Sequence, residues 1–258
     1  MGLTIHYKLS VEKNLAVAVV RELAERTVRY AKKIGCAEVS EVESVAADTP
    51  FTSLFVRAGR EEAGCFGLVP AKRGWVVNVN VWPGEGCESA LFGLCQYPRR
   101  IPFRAGSVVT GFEGGWLLQG FCKTQYAGEH GWENFLKCHR QIISLLDFWR
   151  DLGVSVEVTD EGGYWETRSE EKLRAALRQY DGLVAAVGGM MKDAPDNSGG
   201  NLSVESPIFD YANFERLEHE GRLEFGRQAE QLRKETGKGL FLDDHRQARP
   251  CNKTKRID

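Results

Sequence analysis

The chain has 258 residues, 42% apolar and 27% charged, with 34 basic against 36 acidic side chains and a formal net charge of −2. A chain of this length buries roughly three quarters of its unfolded surface, enough for a core without disulfides or a structural metal. The composition excludes a wholly disordered, collagen-like or broadly nucleic-acid-coating protein, and no apolar run approaches the ~18 residues of a membrane span.

In chain order, Leu3, Ile5, Tyr7 and Leu9 alternate with Thr4, His6 and Lys8, the period of a half-buried strand. Residues 12–34 carry Leu15, Val19, Leu23, Thr27 and Tyr30 at near-helical spacing, with Gly35 placed to stop the helix. Alternation returns at Leu54, Val56 and Ala58, and again at Trp75, Val77, Val79 and Val81. Residues 82–88 then lead into a short helical stretch through Leu94. A strand from about Gly115 to Lys123 is apolar or Gly on both sides except at Gln119, which places it centrally.

Residues 131–152 form the clearest helix, with Trp132, Phe135, Leu136, Ile142, Ile143, Leu146 and Trp149 on one stripe and Gly153 after it. Val154, Val156 and Val158 make another half-buried strand. A third helix starts near Ser169, where Thr167 and Glu170 have the offset of a capping box, and runs to about Met191. A charged helix follows from about Tyr211 to Thr236.

Alternating rather than continuous apolar strands, among amphipathic helices, predict an α+β protein. The expected architecture is a two-layer α/β sandwich with one mixed sheet, helices mainly on one face, plus a C-terminal helix. The expected organisation is a core domain over 1–193, a loop or linker over 194–210, a charged helix over 211–237 and a basic, disordered tail over 238–258. Residues 246–258 hold five bases, including Arg246, Arg249 and Lys253, against Asp258, a net +4.

The N-terminus lacks the basic stretch, apolar run and cleavage site of a secretory signal. Seven scattered cysteines without a C-x-x-C pair read as reduced thiols, giving a cytoplasmic expectation and none of a zinc ribbon.

Three strand-ending loops carry the candidate chemistry. In Trp82-Pro83-Gly84-Glu85-Gly86-Cys87-Glu88, a helix N-terminus would favour the Cys87 thiolate by ~0.3–1 kcal/mol. A carboxylate such as Glu85 or Glu88 opposes it by a comparable ~0.7 kcal/mol, so activation needs a nearby cation. Phe121-Cys122-Lys123-Thr124-Gln125-Tyr126 offers Lys123, Gln125 and Tyr126 to position an anion or polarise a carbonyl. Asp160-Glu161-Gly162-Gly163-Tyr164-Trp165-Glu166 lies in a segment, 157–171, of net charge −5. It could place oxygen ligands round a hard cation or hold an amine against Tyr164 or Trp165; the simpler reading is a helix N-terminus decorated with acids that suit its dipole. His139, on the apolar stripe of the 131–152 helix, reads as a core histidine or as a general base paired with a cysteine. If the three strands run parallel their loops share one edge, where open α/β sheets bind ligands.

The strings W-P-G-E-G-C-E (82–88), F-C-K-T-Q-Y-A (121–127) and D-E-G-G-Y-W-E (160–166), with T-I-H-Y (4–7), resemble a family of uncharacterised bacterial proteins over roughly residues 3–193. The resemblance implies no activity, cofactor or catalytic assignment.

The leading expectation is a hydrolase with a carboxylate-rich pocket and a divalent cation such as Mg or Mn. Asp160 and Glu161 would be metal ligands; Glu85, Cys87, Glu88, Lys123, His139 and Glu166 would be catalytic; Gln125, Tyr126, Tyr164 and Trp165 would bind ligand. The alternative is a non-catalytic binding or interaction protein using an aromatic-acidic surface patch toward a small-molecule or protein partner. Nucleic acid is a third reading, through the basic tail or through Arg99, Arg100 and Arg104 near Tyr97 and Phe103.

Overall fold

In the first strand the alternation written in the sequence becomes two faces: Ile5, Tyr7 and Leu9 are buried while His6 is exposed. The computed structural model describes residues 3–12, 14–44, 54–57, 66–69, 71, 75–103, 106–109, 115–194 and 205–236. Several sequence expectations fall outside them: Ala58, Arg104, Cys65, Cys251, most of the linker and the basic tail. Two compact units divide the chain at 180/181, inside a helix.

The first unit holds a six-stranded sheet in the order β10-β1-β9-β6-β5-β2. Its strands are β1 (Thr4–Val11), β2 (Glu38–Val39), β5 (Val76–Trp82), β6 (Ala90–Cys95), β9 (Trp116–Lys123) and β10 (Ser155–Asp160). Two separate hairpins pair β3 (Leu54–Arg57) with β4 (Phe66–Val69) and β7 (Arg100–Phe103) with β8 (Gly106–Val109). Helices α1 (Val17–Lys33) and α2 (Trp132–Asp151) pack on each other; α1 lies against β5 and β6, and α2 against β10. The α+β two-layer expectation holds. Every ladder of the six-stranded sheet is antiparallel, which corrects the expectation of a mixed sheet.

Three further differences have local causes. The stretch through Leu94 is a strand, because Ala90, Phe92 and Leu94 pair with Val81, Val79 and Val77 on a fully buried face of the ladder. At α1 the sheet receives Val20, Ala24, Thr27 and Ala31, while Val19 is exposed. Small side chains let the helix approach the strands, and the larger Tyr30 stacks on Phe148 of α2 at 4.3 Å. After β10 come a single turn, α3 (Tyr164–Thr167), and then α4 (Glu170–Asp193). The Ser169 hydroxyl, rather than Thr167, caps α4 by accepting the Lys172 N–H at 3.3 Å.

In the second unit the C-terminal part of α4 meets α5 (Phe214–Thr236), with Gly182 and Gly221 allowing backbone approach. A small apolar cluster of Ala185, Ile208 and Leu217 lies there. No helix among the described residues is long and apolar enough to cross a membrane.

Candidate functional site

In an antiparallel sheet every second strand points the same way, so β5, β9 and β10 are co-directional although none is adjacent to another. Their carboxyl ends, Trp82, Lys123 and Asp160, therefore share one edge, and the three loops meet there. The Glu88 N–H donates to the Lys123 carbonyl at 2.9 Å and the Cys122 thiol to the Glu88 carbonyl at 3.1 Å. The Thr124 N–H reaches the Leu3 carbonyl at 3.1 Å, and the Glu161 N–H the Thr4 carbonyl at 3.2 Å. Gly86 has φ +77°, and a β-carbon there would overlap the Tyr126 backbone, so the first loop closes on the second only with glycine at that position.

Beneath this edge runs a buried chain of polar groups. Asp160 Oδ2 lies 3.2 Å from His139 Nε2, and His139 Nδ1 lies 3.0 Å from Thr124 Oγ1, with all three residues buried. Asp160 also accepts the N–H groups of Gly162 (2.8 Å), Tyr164 (2.7 Å) and Trp165 (2.9 Å). Burial pushes its carboxyl pKa up, but the His139 imidazole and the Trp165 and Gly162 N–H groups outweigh burial and hold it below the ordinary value. The order hydroxyl, imidazole, carboxylate is that of a nucleophilic relay. Here both the imidazole and carboxylate side chains have no exposed surface, so the chain is a core staple that joins α2 to β10 and to the end of β9.

The expected site residues are brought to one edge but engaged separately. Glu88 pairs with Lys123 at 3.8 Å, Glu85 with His130 at 3.5 Å, and Lys123 lies 5.8 Å from the Tyr126 ring centre. The Glu161 carboxylate accepts the Thr4 N–H at 2.8 Å, and the Gln125 carbonyl accepts the Leu3 N–H at 3.0 Å. Tyr164 is buried, edge-on to His139. Trp165 lies against Arg150 and Arg168 rather than among acids. Glu166 is exposed on α3.

These placements bear on four expectations. Asp160 does not fit a metal, because its oxygens are already taken by N–H groups and His139, and Glu161 gives one oxygen to the Thr4 N–H; among the described residues no group of three or more His, Cys, Asp or Glu could hold one. His139 is a satisfied core residue with no surface for substrate. Gln125 and Tyr164 face the interior. Cys87 has no helix dipole behind it, since β6 follows.

Cys87 instead meets another thiol. It is hydrogen-bonded to Cys138 of α2; that bond, then burial, drives the Cys87 pKa well up. The same bond lowers the Cys138 pKa against the effect of burial, and Lys137 adds to the lowering. Cys36 is pushed up to about 11 by burial, and Cys122 is raised by burial and by Glu88.

Along α2, residues 133, 136, 137, 140, 141 and 144 recur at helical spacing and, with Ile34 after α1, line a cavity of about 350 Å³. The Gln141 Nε2 donates to the Ile34 carbonyl at 3.1 Å, which fixes the amide and leaves the buried Oε1 without a donor. Arg140 is paired with Glu170 at 3.2 Å, while Lys137 has no ion pair among the described residues. Sequence reasoning misses Cys138, Gln141, Lys137 and Thr124. The recurrence of polar residues opposite the α2 apolar stripe is the signal that could have found Gln141 and Lys137.

The chain matches no family model, no curated protein and no solved structure.

Proposed function

We propose that the chain is a non-catalytic binding protein whose ligand is a small organic acid bearing a hydroxyl or amino group, held in the α2 cavity. The Gln141 Oε1 carries this reading: an acceptor buried without a donor costs about 1–3 kcal/mol, and a ligand O–H or N–H that reaches it as the cavity wall gives way would remove the cost. Lys137 supplies a cation for the acid group, and Ile34 and Leu136 supply apolar surface. The volume lies at the small end of ligand pockets, about 300–1,000 Å³. The binding reading is preferred to the metal hydrolase because Glu85, Glu88, Asp160 and Glu161 at the strand-end edge are each engaged by a partner of their own.

The test is thermal melting and calorimetry with glycolate, lactate and serine as probes, and acetate as the donor-free control. A probe at 100 times its dissociation constant adds about 2.7 kcal/mol. Stabilisation by the hydroxy or amino acids, weakened in Lys137→Ala and Gln141→Leu, is the expected result. Unchanged melting and no heat with all of them overturns the reading.

A further inference from the structure

We propose that Cys87 and Cys138 form an oxidisable dithiol, which hydrogen peroxide converts to a disulfide linking the 82–88 loop to α2. The two thiols come from a loop and a helix 51 positions apart in sequence, yet they are hydrogen-bonded to each other. The loop is held over the helix from both sides. The Asn134 amide of α2 donates to the carbonyls of Glu85 (3.3 Å) and Ala127 (3.1 Å). A β-carbon at Gly84 would lie 3.0 Å from Cys138 Sγ, so the absence of a side chain there is what lets the turn sit on this sulfur.

The pair is chemically unequal. The Cys87 S–H and Lys137 lower the Cys138 pKa while the same bond raises that of Cys87, so Cys138 is the readier of the two to ionise. Cys36 and Cys122 are held as thiols by burial, so neither competes as a nucleophile. Exposure limits the oxidant: Cys87 is half-buried and Cys138 only 1% exposed, which excludes a bulky disulfide such as oxidised glutathione.

The steps balance. The Cys138 thiolate attacks one peroxide oxygen; an S–O bond forms, the O–O bond breaks and hydroxide leaves, so sulfur loses two electrons to the peroxide. The Cys87 sulfur then attacks the Cys138 sulfenic acid; the S–S bond forms, the S–O bond breaks, and the departing hydroxide takes the Cys87 proton as water. A dithiol monoanion and one peroxide give one disulfide, one water and one hydroxide.

The test uses the full chain, first reduced and then treated with hydrogen peroxide. Thiol titration after unfolding is expected to fall from seven to five, and peptide mapping to show the Cys87 and Cys138 peptides joined and two hydrogens lighter, reversed by dithiothreitol. Oxidised glutathione at the same concentration is expected to leave seven. Cys87→Ser is expected to lose the link and to leave a Cys138 sulfenic acid that dimedone traps, while Cys36→Ser retains the link. Seven thiols after peroxide treatment, or a link joining any other pair, overturns the proposal. Mapping of the unaltered chain decides this even if a variant does not fold.

Discussion

Asp160→Asn is the substitution that most directly tests whether the buried polar chain holds the loops together. The carboxylate serves four donors: Gly162 N–H on Oδ1, and Tyr164 N–H, Trp165 N–H and His139 on Oδ2. An amide has one acceptor oxygen. Its best arrangement keeps the carbonyl at the Oδ2 position and turns its NH2 toward the Gly162 N–H, leaving a buried donor facing a donor. That loss, with the charge assistance removed from the other three bonds, is worth about 2–3 kcal/mol. Asp160→Ala abandons all four donors and costs about 3–5 kcal/mol, a large fraction of the ~5–15 kcal/mol that keeps a domain folded.

All six tryptophans lie in residues 1–180, so tryptophan fluorescence in urea reads this unit. With an m-value of ~2–3 kcal/mol/M, the asparagine variant is expected to unfold about 1 M earlier at neutral pH. The folded carboxyl titrates below its unfolded value of ~3.9, so its contribution is complete above that pH and is lost as pH falls through the folded pKa. The gap between variant and parent is therefore expected to narrow in acid. Coincident curves at neutral pH, or a gap that widens in acid, would refute the assignment of the carboxylate as the hub.

Gly86→Ala is expected to lower the melting temperature through its positive φ and the overlap with Tyr126, at a cost of about 1–3 kcal/mol. Two glycines of α5 predict opposite signs for one substitution. A β-carbon added at Gly226 would meet nothing within 4 Å, so Gly226→Ala is expected to stabilise by up to ~1 kcal/mol. Gly221→Ala would place its β-carbon on the Gly182 carbonyl and is expected to destabilise despite the same propensity gain; circular dichroism melts of the two variants check this. Tyr7 donates to the Leu91 carbonyl at 2.8 Å, so Tyr7→Phe is expected to cost about 1 kcal/mol in a urea titration. Burial raises the Tyr7 pKa well above its ordinary value. The folded chain thus keeps a proton that the unfolded chain releases near pH ~10, and stability falls as pH rises through that value. Ultraviolet titration is expected to show Tyr7 ionising only on unfolding.

The strands legible in the sequence are those whose second face carries polar side chains. Ile5, Tyr7 and Leu9 or Val77, Val79 and Val81 announce themselves by alternation, whereas Ala90-Leu91-Phe92-Gly93-Leu94-Cys95 is apolar throughout and has no period to read. By sequence Gly93 belongs to a loose helical stretch; in the sheet a β-carbon there would strike the Val77–Asn78 backbone, so glycine marks close approach of two strands. The helix faces are legible only in part. Sequence favours the largest apolar residues, while α1 turns small ones toward the sheet and leaves Tyr30 to pack on α2.

The loops can be located from sequence, but their electrostatics cannot. Asp160 finds three of its donors within five residues, in its own turn and the helix start that follows, so the simpler reading of acids at a helix N-terminus is the one that meets the geometry. The partners that decide the chemistry come from far along the chain: Thr4 for Glu161, Cys138 for Cys87, Ile34 for Gln141. No spacing encodes them. Convergence of the loops, by contrast, never required a parallel sheet. It requires that β5, β9 and β10 be separated by an odd number of intervening strands, which is β6 in one case and β1 in the other. One added strand between β9 and β6 would reverse β5, carry Cys87 and Gly84 to the opposite edge, and part Cys87 from Cys138 without changing a residue of either loop.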